Sequence, residues 1–213
     1  MKKGIIFDLD GTLWDSTEQI LLSWNSVLEQ YPQYGGAISM EQLQGLMGKT
    51  MDVIAESIMP NVPKEERKKI FAQCCKEEEA YLLKHGGVLF PRLEETLKKL
   101  KEDYKLYIVS NCQSGYIETF LEHHKLHSYF EDIECFGNTG LGKADNERIL
   151  AERNHLDKVI YVGDTKGDFE ATKEAGFPFV YAAYGFGQVD EEVPFVSSFE
   201  QLPEVINQEF AKN

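Results

Sequence analysis

The chain has 213 residues, of which 42% are hydrophobic and 27% are charged, and this length suits one domain with a small insert. Its 22 basic and 36 acidic residues give a formal charge of −14, which argues against nucleic acid or an anionic membrane as a partner, because both need a basic surface. The same acidity would repel an anionic ligand, which would therefore need locally placed lysines and a metal ion.

Short apolar runs predict the strands of a buried sheet. They do not alternate polar with apolar residues, and this suits strands that are covered on both faces, as in a parallel sheet. The segments between them have helical patterns, so the sequence predicts a doubly wound, mainly parallel α/β fold whose ligands bind beyond the carboxyl ends of the strands. The runs are Gly4–Phe7, Leu106–Val109, Val159–Val162 and Phe179–Ala182, with a weaker one at Ile133–Phe136.

One segment interrupts this alternation of strands and helices. After the first strand the chain carries only helical signals for many residues, beginning with a capping-box pattern of Ser16 and Gln19. We predict an all-helical insert, a cap domain, over residues 16–86 that leans over the sheet. The α/β core domain is then built from residues 1–15 and 87–213.

Two acidic residues follow the first strand directly. Asp8 and Asp10 are two positions apart, so in an extended chain their side chains point the same way, toward the ligand edge of the sheet. Carboxylates that close repel each other, and either a divalent cation or the protonation of one carboxyl would make the pair tolerable. Thr12, which follows the turn at Gly11, offers a hydroxyl and a backbone N–H.

The ends of two later strands carry further polar residues. Ser110 and Asn111 supply a hydroxyl and an amide that can bind phosphate oxygens, although a serine at this place is also a common helix cap. Asp164 holds the same place on its strand as Asp8 holds on the first, so the two carboxylates can converge in an oxygen-rich magnesium site. Asp168, in the next helix, is a candidate metal ligand, a partner of the ligands or a residue that interacts with the helix dipole.

The stretch FGNTGLGKAD, which begins at Phe136, has two interpretations. Gly137 and Gly142 have the spacing of a P-loop, and Lys143 follows them. Ala144, however, stands where a P-loop has the Ser or Thr that binds magnesium. The stretch is either a nucleotide-binding loop without that hydroxyl or a loop that delivers one lysine to a site built elsewhere.

Four motifs in this order resemble those of the haloacid dehalogenase superfamily of aspartate-nucleophile phosphatases. They are DLDGT from Asp8, Ser110-Asn111, Lys143 and GDTKGD from Gly163. The helical insert after the first motif is similar to the cap of the phosphoglycolate phosphatase and β-phosphoglucomutase branch. The resemblance favours the lysine-delivering loop, because a P-loop would leave the aspartates without a role.

The resemblance implies the chemistry of the aspartates. Asp8 would attack phosphorus to form an aspartyl-phosphate, and Asp10 would protonate the leaving oxygen and then help to activate water. Mg²⁺ would be held by Asp8, the backbone carbonyl of Asp10 and Asp164, with Asp168 assisting.

The resemblance also implies how the substrate is held. Ser110 and Lys143 would bind the transferring phosphoryl oxygens, and Thr12 and Asn111 are further candidates for phosphate binding. Lys49 lies in the part of the cap where the family places specificity residues, and it is either a ligand of a carboxylate or second phosphate on the substrate or an ordinary surface lysine.

These inferences predict a magnesium-dependent phosphatase that acts on a small phosphorylated metabolite, either phosphoglycolate-like or a sugar phosphate. A phosphomutase of the β-phosphoglucomutase kind uses the same core and stays open as an alternative. A phospho-accepting signalling domain of the receiver type also combines an acidic magnesium pocket with a Ser or Thr and a Lys. Its phosphorylated aspartate, however, follows an internal strand, and it has no helical cap.

Cysteine spacing and apolar runs indicate the compartment. The basic N-terminus is followed too soon by acidic residues for a signal peptide, and no run approaches the roughly 18 apolar residues of a membrane span. We expect a cytoplasmic protein, a monomer or a homodimer, that does not contact a membrane. The cysteines have no zinc-like spacing and are expected to be buried thiols in a reducing compartment: Cys74, Cys75, Cys112 and Cys135.

Overall fold

The strands form one large sheet and one small two-stranded sheet. This computed structural model describes residues 1–212, which contain eight strands. They are β1 (Lys3–Phe7), β2 (Trp14–Asp15), β3 (Val88–Leu89), β4 (Lys105–Ser110), β5 (Phe130–Cys135), β6 (Lys158–Gly163), β7 (Phe179–Ala182) and β8 (Phe195–Val196).

Six strands form the central sheet, in the order β5-β4-β1-β6-β7-β8, and each neighbouring pair is parallel. The strand order reverses between β1 and β6, and in doubly wound folds this reversal opens a ligand crevice beyond the carboxyl ends of the strands. The predicted fold class is therefore confirmed. The four stronger apolar runs lie within strands. The weaker run, Ile133–Phe136, lies in β5 only as far as Cys135, because Phe136 begins a helix.

Helices cover both faces of the sheet, and the long segment after β2 is helical. The helices of residues 1–212 are α1 (Thr17–Leu28), α2 (Met40–Gln44), α3 (Met51–Ile58), α4 (Lys64–His85), α5 (Leu93–Asp103), α6 (Tyr116–His124), α7 (Phe136–Thr139), α8 (Lys143–Arg153), α9 (Lys166–Ala175) and α10 (Leu202–Lys212), with 3-10 turns at Pro32–Tyr34, His127–Tyr129 and Phe199–Gln201.

Apolar side chains leave β1 on both faces of the sheet. Ile5 and Phe7 belong to one core cluster, whereas Ile6 belongs to a second cluster on the opposite face. All three are fully buried, because successive side chains of a strand point to opposite faces and both faces carry helices. This burial fixes the register of β1 and hence the place where the chain leaves the sheet.

Residues 16–86 contain α1 to α4 and no strand. The short strands β2 and β3 pair antiparallel at the two ends of this segment, where the chain leaves the core and returns to it. Inside the segment α1 packs on α4, with the Trp24 and Phe71 rings 5.1 Å apart between centroids. The division into a cap of residues 16–86 and a core stays a prediction.

No helix within residues 1–212 is both long enough and apolar enough to cross a membrane. The four cysteines of the chain are free thiols, and Cys75 is the one that is only partly buried. The cytoplasmic location and the oligomeric state stay predictions.

A buried carboxyl is part of the packing between α1 and α4. Glu78 is 2% exposed, and its Oε2 accepts a hydrogen bond from Trp24 Nε1 at 2.8 Å. Burial raises the pKa of Glu78 to about 8, against 4.5 for an ordinary glutamate, and the hydrogen bond from Trp24 offsets only part of this. The folded protein therefore keeps a proton on Glu78 that the unfolded chain releases.

We predict that Glu78→Gln stabilises the protein at alkaline pH. Between pH 4.5 and about 8 the unfolded chain loses this proton while the folded chain keeps it, so this carboxyl lowers the free energy of unfolding as the pH rises. Glutamine does not titrate. The free energy of unfolding of the variant should therefore exceed that of wild type by on the order of a few kcal/mol at pH 8 and by little at pH 4.5. Urea unfolding across this pH range measures the difference.

Glu77→Gln is the matched control, because Glu77 is an exposed neighbour on the same helix. Its free energy of unfolding should follow that of wild type at each pH. A difference between Glu78→Gln and wild type that does not change with pH would contradict the raised pKa.

Candidate functional site

Three carboxylates meet at the carboxyl ends of β1 and β6. Asp8 follows β1 and Asp164 follows β6, and the two strands are paired so that the Asp8 N–H donates to the Val162 carbonyl at 2.8 Å. Asp168 comes from the first turn of α9. One carboxylate oxygen from each aspartate lies within 4.8 Å of the others, and all three side chains are buried. We call these residues the acidic cluster.

One lysine balances part of this charge. Lys143 begins α8, and its Nζ lies 2.8 Å from Asp8 Oδ1 and also donates to Asp168 Oδ1. Burial alone would lower the pKa of Lys143, but the carboxylates of Asp168 and Asp8 outweigh it and raise the pKa, so the amine is charged. The stretch from Phe136 thus delivers a lysine to the acidic cluster.

A loop after β7 holds Asp164 in place. The backbone N–H groups of Phe186 and Gly187 donate to Asp164 Oδ2 at 2.7 and 3.4 Å. Thr12 Oγ1 donates to Asp164 Oδ1 at 3.3 Å, and the Thr12 N–H bonds to the Leu9 carbonyl. The structure thus turns the Thr12 hydroxyl to the acidic cluster, and phosphate binding by Thr12 stays a prediction.

The acidic cluster has the composition of a site for a divalent cation. Its three carboxylates face one ammonium, and burial together with Asp168 raises the pKa of Asp8 well above its ordinary value. Burial and Asp168 likewise raise the pKa of Asp164 to about 7. An all-oxygen donor set with excess negative charge fits a hard cation such as Mg²⁺, which would relieve the repulsion.

The carboxylate of Asp10 is not part of the acidic cluster and is held by donors of its own. Oδ1 accepts hydrogen bonds from Trp14 Nε1 at 2.9 Å, Ser16 Oγ at 2.6 Å and the Tyr116 hydroxyl at 2.9 Å. Burial raises the pKa of Asp10, and the three donors oppose that rise only in part. Its backbone carbonyl is left as the atom for the predicted metal contact, which stays a prediction.

The capping box expected at Ser16 is wrong. Ser16 does occupy the N-cap of α1, but its side chain makes no capping hydrogen bond, because its hydroxyl donates to Asp10. Asp15 Oδ1 instead accepts the Thr17 N–H at 2.9 Å. Sequence reasoning therefore missed Ser16 as a site residue, and Tyr116, which lies 106 positions from Asp10, gave no local signal.

Asn111 joins the two parts of the chain above the site. Its Nδ2 donates to the backbone carbonyl of Gly48 at 2.9 Å, so the loop between α2 and α3 is held to the end of β4. Ser110 is buried beside it, and Lys49 is exposed. The predicted phosphate contacts of Ser110 and Asn111, and the predicted substrate contact of Lys49, stay predictions.

A cleft connects these residues between residues 16–86 and the sheet. It encloses about 420 Å³ of empty space, part of it open to solvent. Polar residues of the core and apolar residues of α1 and α3 both contribute to its lining. The lining comprises Asp8, Asp10, Ile20, Trp24, Met47, Gly48, Lys49, Met51, Ile54, Glu78, Ser110, Asn111, Cys112, Gln113 and Tyr116.

Comparisons with known proteins agree with this geometry. The haloacid dehalogenase-like hydrolase family matches residues 5–182. A phosphoglycolate phosphatase of Aliivibrio fischeri is 28% identical over 98% of this chain and 93% of its own length.

Two solved structures share the fold. A haloacid dehalogenase-like hydrolase of Bacteroides fragilis has a TM-score of 0.82 at 24% identity, covering 95% of this chain and 100% of its own. A β-phosphoglucomutase of Clostridium difficile has a TM-score of 0.78 at 18% identity, covering 99% and 100%.

The predicted superfamily and enzyme class, a phosphatase of that superfamily, are confirmed by the family match and the curated relatives together. The motif residues that suggested them lie at one edge of the sheet, with the acidic cluster and Lys143 in direct contact. The chain belongs to the haloacid dehalogenase-like hydrolase family.

Proposed function

We propose that the protein is a magnesium-dependent phosphatase that hydrolyses a small phosphorylated metabolite through an aspartyl-phosphate on Asp8. The observation that carries this proposal is the division of labour between two buried carboxyls. Asp8 lies in the acidic cluster with the ammonium of Lys143, whereas Asp10 is held apart by three hydrogen-bond donors. A bound cation would keep Asp8 ionised, whereas burial raises the pKa of Asp10 and favours its protonated form.

Asp8, Asp164 and Asp168 would hold the cation, together with the backbone carbonyl of Asp10. When bound, Mg²⁺ would supply positive charge for the phosphoryl oxygens and keep Asp8 ionised. Lys143 would add its charge, and Ser110, at the end of the neighbouring strand, would donate a hydrogen bond.

Asp8 and Asp10 would carry the two chemical steps. A carboxylate oxygen of Asp8 attacks phosphorus, the bond from phosphorus to the leaving oxygen breaks, and the proton of Asp10 passes to that oxygen. Asp10, now ionised, takes a proton from water, which attacks phosphorus and releases Asp8 and phosphate. Within residues 1–212 the three donors to Asp10 all use Oδ1, so Oδ2 is the oxygen left to carry the proton.

Residues 16–86 would act as a cap that excludes water during these steps. The contact from Asn111 to Gly48 supports this, because it draws a loop of that segment onto the core directly above the acidic cluster. Phosphoglycolate-like compounds and sugar phosphates are the candidate substrates, the first by likeness to the curated relatives.

Asp8→Asn should abolish phosphate release while the protein stays folded, because the amide cannot attack phosphorus. Phosphate release from a panel of phosphorylated metabolites and p-nitrophenyl phosphate, with Mg²⁺ and with chelator, measures this. Asp103→Asn, an exposed aspartate at the end of α5, is the matched control and should retain full activity. Full activity in Asp8→Asn would rule out the aspartyl-phosphate, and no turnover by folded wild type with any compound would favour a phosphomutase.

Asp10→Asn should lower kcat by about 10²-fold or more for alkyl phosphates, because their leaving oxygen needs a proton. The loss in the first step should be much smaller for p-nitrophenyl phosphate, whose leaving group departs as a stable anion. Burst kinetics with p-nitrophenyl phosphate separate this step from the hydrolysis of the intermediate. Equal losses in the first step for both classes of ester would contradict Asp10 as the acid.

Mg²⁺ should raise the melting temperature of wild type in proportion to the logarithm of its concentration, since it binds the folded chain. Asp164→Asn should weaken this rise, because the variant removes one carboxylate from the acidic cluster. Thermal unfolding with increasing MgCl₂ measures the effect without any turnover, and Asp103→Asn again serves as the control. An equal rise in both variants would place the cation elsewhere.

A further inference from the structure

The cleft has a second polar region, on the side of Glu78 and away from the acidic cluster. Both hydrogen bonds of the Glu78 carboxyl are accepted by Oε2, from Trp24 Nε1 at 2.8 Å and from Gln113 Nε2 at 3.2 Å. Neither of these two bonds uses the other oxygen, Oε1. Burial raises the pKa of Glu78 to about 8, which favours the neutral carboxyl at pH 7, and Oε1 is the oxygen left to carry the proton. The group thus presents an O–H donor to the cleft.

Two residues that line the same cleft carry a buried amide oxygen that has no partner within the described chain. The oxygens are Asn111 Oδ1 and Gln113 Oε1. Neither amide can exchange the places of its oxygen and nitrogen without breaking a hydrogen bond, because Asn111 Nδ2 donates to the Gly48 carbonyl and Gln113 Nε2 donates to Glu78. A buried acceptor without a partner costs free energy, so these oxygens favour a ligand that donates hydrogen bonds to them.

One class of ligand group matches this combination of a donor and two acceptors. A carboxylate only accepts and would leave the two amide oxygens unpaired, while an ammonium only donates and would leave the Glu78 O–H unpaired. A hydroxyl does both. Apolar residues also line the cleft, Trp24 and Met51 among them, and suit the C–H faces of a carbon skeleton.

The charges that line the cleft also favour a neutral leaving group. Asp8 and Asp10 line the cleft. Among the described lining residues the cationic side chain is that of Lys49, which is exposed. A phosphate can approach because the acidic cluster binds a cation. A second negative charge, on the leaving group, would have no such partner on the Glu78 side.

We propose that Glu78 and Gln113 are specificity determinants that bind hydroxyl groups of the leaving group, so that the preferred substrates are phosphate monoesters of a sugar or polyol rather than of a hydroxy acid. This inference rests on the proposed phosphatase function and narrows its substrate class. Asp10 is the link between the two, because it protonates the leaving oxygen and its charge is among the influences on Glu78.

The test compares kcat/KM for three esters of similar size: glycerol 3-phosphate, propyl phosphate and phosphoglycolate. Wild type should prefer glycerol 3-phosphate to each of the others by about tenfold or more, because buried polar groups left unpaired penalise the analogue that lacks hydroxyls. A preference for phosphoglycolate, or equal kcat/KM for glycerol and propyl phosphates, would overturn the proposal. Absence of turnover with all three and with p-nitrophenyl phosphate would instead contradict the phosphatase itself, and the inference with it.

Variants test whether Glu78 and Gln113 cause the preference for glycerol 3-phosphate. Glu78→Leu and Gln113→Leu should each lower the ratio of kcat/KM for glycerol 3-phosphate over propyl phosphate by about fivefold or more, mainly through KM for the glycerol ester. Glu78→Gln keeps a hydrogen-bonding group and should retain most of the ratio. Glu77→Leu, on the exposed side of α4, should leave it unchanged. A ratio that stays at the wild-type value in folded Glu78→Leu and Gln113→Leu would overturn the proposal. If Glu78→Leu does not fold, the result for Gln113→Leu decides alone.

Discussion

The ion cluster between β1 and β6 is the constraint on which the site depends. Asp8, Asp164 and Asp168 are buried together against the ammonium of Lys143, so three acidic groups face one basic group. Buried charges are tolerated only when opposite charge and hydrogen bonds replace the water that they lose. The strand order places these residues at the point where a doubly wound sheet opens, and a bound cation would offset the repulsion among the carboxylates there.

The backbone around the cluster is shaped to this requirement. Gly11 has a φ of +79°, and a Cβ there would lie 2.2 Å from Asp164 Oδ2, so a side chain is excluded. On the other side, a Cβ on Gly185 would lie 2.4 Å from the Gly11 carbonyl oxygen, and the next residues give their N–H groups to Asp164. Donors that are fixed before the ligand arrives need no reorganisation during the reaction.

The sequence predicted the fold and the convergence of the aspartates because both follow from local rules. Apolar runs without alternation predict parallel strands, and Asp8 and Asp164 meet because their strands are paired in register. The donors to Asp10 could not be predicted in this way. Ser16 has the pattern of a helix cap, and Tyr116 reaches Asp10 only through packing of α6, which no spacing along the chain records. Glu78 lies within a run of charges that reads as a solvated helix face.

Two buried carboxyls of the cleft, Asp10 and Glu78, are oriented by different parts of the chain. Asp10 is oriented by Trp14, Ser16 and Tyr116, which lie in the core or where residues 16–86 begin. Glu78 belongs to α4 and is oriented by Trp24 of α1, within that segment, and its partner from the core is Gln113. The proposed acid is therefore oriented mainly by the core, and the polar groups proposed to bind the leaving group are oriented mainly by the inserted helices. Changes in those helices can then alter the substrate without disturbing the acidic cluster, which suits a fold that supports many substrates with one chemistry.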